Sequence, residues 1–125
     1  MIYGVGADLV EPARVARLLE RHGERFARRV LSAAEWPGYQ QAQRRDLFLA
    51  SRFAAKEAFS KALGTGLRHP ATLRAISVLQ DRLGKPSLAF APALERLVRE
   101  RGIVGHHLSM SHERSLACAF VVLER

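Results

Sequence analysis

The sequence predicts an α+β domain: a mostly antiparallel sheet with helices packed on one side. Three observations carry this. Strand and helix patterns follow in the order β-ααα-ββ-α-ββ, grouped rather than strictly alternating. The last four strand segments form two pairs, closed by the turns Gly84-Lys85-Pro86 and His112-Glu113-Arg114-Ser115. Between the opening strand and these pairs lies a long alanine-, leucine-, lysine- and glutamate-rich segment, about Asp46 to Leu63, with the composition of a helix.

Taken in order, residues 1–7 read as a short buried strand. Pro12 suits the first turn of a helix, where its missing N–H costs nothing. Val15, Leu18 and Leu19 then form an apolar stripe, and Gly23 stops the helix. A second helix spans Glu24 to Val30. Ser32 and Glu35 have capping-box spacing, so a helical turn or two should follow, interrupted near Pro37-Gly38. Gly64-Thr65-Gly66 ends the long helix; it lacks Walker spacing, and helix termination explains it. Strands follow over about Leu73–Leu79 and Ser87–Phe90, then a helix from Pro92 closing at Gly102. The final strands are about His106–Ser111 and Leu116–Leu123.

At 125 residues and 48% apolar composition, the chain is expected to be one ordered domain over residues 1–125. Cys118 is the only cysteine, which excludes an internal disulfide and a cysteine-built zinc cage, and its apolar surroundings read as core. The N-terminus enters a strand directly, without a targeting pattern, and no stretch approaches the roughly 18 apolar residues of a membrane span. A cytoplasmic protein with no membrane partner is expected. The net charge of +8 comes from 20 basic against 12 acidic residues, and 17 of the 20 are arginine. This favours an anionic partner: nucleic acid, a phosphorylated cofactor or an acidic protein. The chain lacks an aromatic stacking platform for single strands, since most of its aromatics sit in apolar runs.

Asp8 follows a strand and precedes a helix, so both a local cap and a functional carboxylate fit it. The run Arg52 to Gly64 is the most informative. On a helix, Arg52, Lys56, Ser60 and Leu63 lie near one line, and Phe53, Glu57, Lys61 and Gly64 on the next. Glu57 and Lys61 fit an i,i+4 surface pair worth about 0.2–0.5 kcal/mol. They equally fit a carboxylate and an ammonium aimed at a metal-bound phosphate. Mg²⁺ takes one or two carboxylates plus water and substrate phosphate, which Asp8 and Glu57 supply if the long helix packs beside the first strand's end. His106, His107 and His112 match no familiar zinc spacing, and His112 suits a hydrogen bond to phosphate or backbone. Arg14, Arg17, Arg21, Arg25, Arg28 and Arg29 crowd the first two helices around Phe26, as a solvated face or a surface for acidic side chains.

Gly4-Val5-Gly6-Ala7-Asp8-Leu9-Val10-Glu11, together with Arg52 to Gly66, resembles the holo-acyl-carrier-protein synthases, the small bacterial group of phosphopantetheinyl transferases. Gly84-Lys85-Pro86 and Leu108-Ser109-Met110-Ser111-His112 occur in the expected order, so the resemblance covers essentially the whole chain. It implies transfer of 4′-phosphopantetheine from coenzyme A to a carrier-protein serine, releasing 3′,5′-adenosine bisphosphate in support of fatty acid biosynthesis. Asp8 and Glu57 then correspond to magnesium ligands and Lys61 to a phosphate-contacting lysine, with Glu57, through a water, as general base. Arg52, Lys61, Gly64 and His112 correspond to positions lining the coenzyme A site. Arg14, Arg25, Phe26, Arg29 and Arg44 fall where the family meets the acidic helix of acyl carrier protein. The family also implies a homotrimer with active sites between subunits, and no nucleic-acid partner. Glu113 departs from the small hydroxyl residue that more often follows this histidine.

Overall fold

A computed structural model describes all 125 residues. The chain runs through β1 (Ile2–Val10), α1 (Pro12–His22), α2 (Glu24–Val30), a 3₁₀ turn (Ala33–Glu35), α3 (Trp36–Gln41) and α4 (Arg45–Leu63). A second 3₁₀ turn (Leu73–Ala75) leads to β2 (Ile76–Gln80), β3 (Pro86–Phe90), α5 (Pro92–Glu100), β4 (Gly105–His112) and β5 (Ala117–Glu124). The fold is α+β, and every strand pair is antiparallel. The strands form two sheets: three strands in the order β1-β5-β4, and the β2-β3 hairpin.

Helix α4 is the centre of the molecule. Ala54, Ala55, Ala58, Phe59, Ala62 and Leu63 are buried in one cluster with Ala119, Val121 and Leu123 of β5. A helix covered on most sides has no use for a narrow apolar stripe, and its small residues let neighbouring backbones come close. The closest of these approaches sets up the site. A side chain at Gly4 would run into the carbonyl oxygen of Ala62, and one at Gly6 into that of Ala58. Only glycine lets β1 lie directly on the α4 backbone there.

Four expectations change at the element level. Strand β1 extends to Val10 because its pairing with β5 continues to Ala117, so Asp8 lies inside the strand rather than after it. Pro37 sits in the first turn of α3, where no N–H is needed, and the helix passes through Gly38 without a break. Residues 73–75 are a 3₁₀ turn, and the strand begins only at Ile76. The antiparallel strands split into two sheets instead of forming one.

The outer face of the larger sheet is uncovered. Val5, Leu9 and Phe120 project there at 52%, 64% and 49% exposure, although the three are large apolar side chains.

Candidate active site

Asp8, Glu57 and Lys61 converge where β1 crosses α4. Alternation along the strand puts Asp8 on the same side as Gly4 and Gly6, facing the helix. Lys61 Nζ donates to Asp8 Oδ1 at 3.1 Å and to the backbone oxygen of Ala7 at 3.1 Å. Glu57, one turn earlier on α4, lines a pocket of about 420 Å³ together with Asp8, Arg14, Leu18, Phe26 and Phe53. Burial raises the Glu57 pKa above its ordinary value, and the negative charge of Asp8 raises it further against the pull of Lys61. Lys61 thus bridges back to the strand instead of forming a simple helical pair with Glu57.

Two carboxylates facing one pocket, one of them with its charged form disfavoured by burial, make a donor set of oxygen alone. No group of three or more His, Cys, Asp or Glu side chains is assembled anywhere in the chain. A hard divalent cation that brings water and phosphate as its remaining ligands fits such a sparse set; zinc, which favours nitrogen and sulfur, does not.

A second cleft, of about 390 Å³, lies on another flank of α4. Arg44, Arg52, Gln80, Gly84, Pro86 and His112 line it. Arg52 is 8% exposed, stacks its guanidinium 3.8 Å above the Phe48 ring centroid, and donates from Nη2 to Gln80 Oε1 at 3.2 Å. Its Nε is buried without a partner. Burial lowers the Arg52 pKa, yet a guanidinium stays charged under such conditions. With Arg44, Arg52 and His112 along it, this is a basic cleft suited to an anionic group.

The remaining predicted residues are distributed as follows. Gly64 caps α4 with φ of +89°, a conformation that favours glycine, one turn beyond Lys61. Arg14 and Phe26 border the Asp8–Glu57 pocket, bringing part of the arginine-rich face to the carboxylates. Arg25 is exposed on α2, and Arg29 lines a shallow groove with Thr72 and Arg74. Arg44 stands apart from that face: it lines the second cleft and pairs with Asp46 at 2.8 Å.

Sequence reasoning missed Gln80 as the partner of Arg52, and it missed the pairing of Lys56 with Glu35. Lys56 Nζ lies 2.6 Å from Glu35 Oε1, and neither side chain has any exposure. Glu35 also completes the expected capping box, accepting the Ser32 N–H at 2.9 Å. The available signal was a lysine flanked by Ala54, Ala55 and Ala58, on a helix with no polar face to spare for it.

The 4′-phosphopantetheinyl transferase superfamily model matches residues 4–121. The chain is 58% identical to a holo-[acyl-carrier-protein] synthase of Nitrosospira multiformis across the full length of both. The crystal structure of a Neisseria meningitidis holo-[acyl-carrier-protein] synthase superposes with a TM-score of 0.97 at 46% identity, covering all of both chains. A Bacillus anthracis holo-(acyl-carrier-protein) synthase in complex with CoA (3′,5′-ADP) matches at TM-score 0.81 and 36% identity, over 98% of this chain and 96% of that one.

Proposed function

The chain belongs to the 4′-phosphopantetheinyl transferase superfamily, and on that premise we propose that it transfers the 4′-phosphopantetheine of coenzyme A to a serine of apo acyl carrier protein. The observation that carries the proposal is that Asp8, distant in sequence from Glu57 and Lys61, shares one pocket beside the arginine-rich helices with Glu57 and is bonded by Lys61. All of residues 1–125 serve as one transferase domain. The setting is cytoplasmic, in fatty acid biosynthesis; no helix is long and apolar enough to cross a membrane.

In the reaction the serine oxygen bonds to the β-phosphorus. The phosphoanhydride bond to the adenosine side breaks, and 3′,5′-adenosine bisphosphate leaves. Asp8 and Glu57 would hold a magnesium ion, which supplies charge neutralisation and orientation to the phosphates. The Lys61 ammonium opposes the charge that develops on the leaving oxygen. Lys61 is itself oriented by Asp8 and the Ala7 carbonyl, so it meets the phosphate without reorganisation. Glu57 is the general base, through a water in the pocket it shares with Asp8. Arg52 and His112 receive the adenosine phosphate, with Gly64 at the α4 terminus near the pyrophosphate. We group Arg44 with this cleft, because that is where it lies. Arg14, Arg25, Phe26 and Arg29 receive the acidic helix of the carrier protein, which leaves no role for nucleic acid on this face.

The two clefts share no residue and sit on different flanks of α4: Arg52 and Glu57 are about 140° apart around the helix at 3.6 residues per turn. A coenzyme A molecule bridging them within one chain would have to wrap around α4. A homotrimer in which one subunit's Arg52–His112 cleft faces another's Asp8–Glu57 pocket removes that difficulty. The uncovered Val5, Leu9 and Phe120 face suits such an assembly, since exposed apolar patches of this kind mark interfaces.

The test is release of 3′,5′-adenosine bisphosphate from coenzyme A, followed chromatographically with and without apo carrier protein. The proposal expects release only with the apo carrier and only with a divalent cation. Release without a carrier, or none at all from folded protein, contradicts it.

A further inference from the structure

We propose that Lys56 is a positioning residue for carrier-protein recognition: by holding the end of α2 against α4, it fixes the carrier-facing arginines relative to the Asp8–Glu57–Lys61 centre. The inference rests on the reading that α2 meets the carrier.

All three N–H groups of the Lys56 ammonium are used, on Val30 O at 2.6 Å, Glu35 Oε1 at 2.6 Å and Leu73 O at 3.0 Å. Val30 is the last residue of α2, where helix carbonyls lack partners of their own. Helix α2 has only seven residues and no side-chain cap at its N-terminus, so its placement depends on tertiary contacts. Glu35 anchors the other side: Oε1 also accepts from Ser32 N and Oε2 from Val78 N, both at 2.9 Å. The ammonium therefore ties α4, the end of α2, both 3₁₀ turns and β2 together at one buried point.

Burying this pair is costly, and apolar side chains of similar volume would pack as well or better. What they would not supply is direction. The bonds to Glu35 and Leu73 fix the ammonium, and its third bond fixes where the Val30 carbonyl points, and with it the helix carrying Arg25, Phe26 and Arg29. The Asp8–Glu57–Lys61 cluster is placed differently, by Gly4 and Gly6 against Ala62 and Ala58, and shares none of these bonds. Loss of Lys56 should consequently weaken the carrier protein more than coenzyme A, whose cleft meets this clamp only through Val78, two residues from the Arg52 partner Gln80.

The test is the double variant Lys56→Met with Glu35→Gln, which leaves no unpaired buried charge, compared with Arg29→Glu. The expected result is a folded protein with a KM for apo carrier raised at least about tenfold, the span set by 1.4 kcal/mol, and a clearly smaller loss of coenzyme A affinity. An unchanged carrier KM in the double variant, with Arg29→Glu impaired, overturns the role of Lys56. An unchanged carrier KM in Arg29→Glu overturns the reading of α2 on which it depends. Equal loss of coenzyme A and carrier would reduce Lys56 to general stability and overturn the inference. A second measurement needs no variant. In the parent protein, the Ala27 and Val30 amides should exchange hydrogen as slowly as those of Ala54 to Phe59, because the clamp makes α2 and α4 one opening unit. Exchange in α2 many-fold faster than in α4 refutes it.

Discussion

Lys61 Nζ sits 3.1 Å from Asp8 Oδ1, although 53 residues separate the two in the chain, and forms no ion pair with Glu57 one turn away. The lysine thereby joins strand β1 to α4 and leaves Glu57 as a half-buried carboxylate facing a second carboxylate. The arrangement is poorly balanced without a cation and well suited to one.

Removing either oxygen donor should therefore disable the site without unfolding it. Asp8→Asn and Glu57→Gln are each expected to lower kcat/KM by at least about 100-fold, the upper end of what loss of a mere supporting contact around a metal costs. Circular dichroism should be unchanged, and titration calorimetry should show weakened magnesium binding in the presence of coenzyme A. Activity within threefold of the parent in either variant would remove that residue from the centre.

The raised pKa of Glu57 gives a signed pH dependence. Burial, then the Asp8 charge, makes the folded state hold this proton more tightly than the unfolded chain does. The carboxyl's contribution to metal-free stability is thus most favourable at low pH, and it declines as pH rises through the folded-state value. Metal-free Glu57→Gln should be the more stable protein at pH 7, and its advantage should shrink toward pH 4. In catalysis, the acidic limb of the rate profile should lie above the ordinary glutamate range and move down as magnesium is raised. A limb insensitive to magnesium would detach Glu57 from the ion.

Glycine 6 sets how close Asp8 comes to α4. A methyl group there meets the Ala58 carbonyl, which belongs to helix backbone and cannot swing aside. Gly6→Ala should cost about 1–3 kcal/mol in urea unfolding, as overpacking does, and it should reduce turnover further by lifting Asp8 away from Lys61. A variant as stable and active as the parent would show that β1 is free to shift.

How far these features were legible in the sequence depends on the range of the interactions that make them. Helices α1, α2 and α4 carry local signals, namely Pro12, Gly23 and the alanine-rich run closed by Gly64, and they form where those signals put them. The end of β1 was not legible, because pairing with β5 rather than any local residue carries the strand to Val10. Asp8, Glu57 and Lys61 lie together where β1 meets α4, but the spacing of Glu57 and Lys61 suggests a pair that the structure replaces with Lys61–Asp8. The Lys56–Glu35 pair and the Arg52–Gln80 bond join residues 21 and 28 positions apart, beyond the reach of periodicity. The division of strands into two sheets is a tertiary outcome of the same kind.

The apolar outer face yields a prediction about assembly. If Val5, Leu9 and Phe120 are covered by other subunits, Phe120→Asp places a carboxylate in that contact, at an effective cost of several kcal/mol per buried ion. Sedimentation is then expected to show a trimer for the parent and monomers for the variant, with transfer activity lost in the variant. A monomeric variant that is fully active would place the whole active site within one chain.

The central claim is the transfer itself, and intact-mass spectrometry of an apo acyl carrier protein incubated with this protein, coenzyme A and Mg²⁺ tests it most directly. The account predicts that the carrier gains the mass of one phosphopantetheinyl group on a single serine, and that the gain disappears with a chelator and with Glu57→Gln. A carrier whose mass does not change in the presence of folded, assembled protein would contradict it.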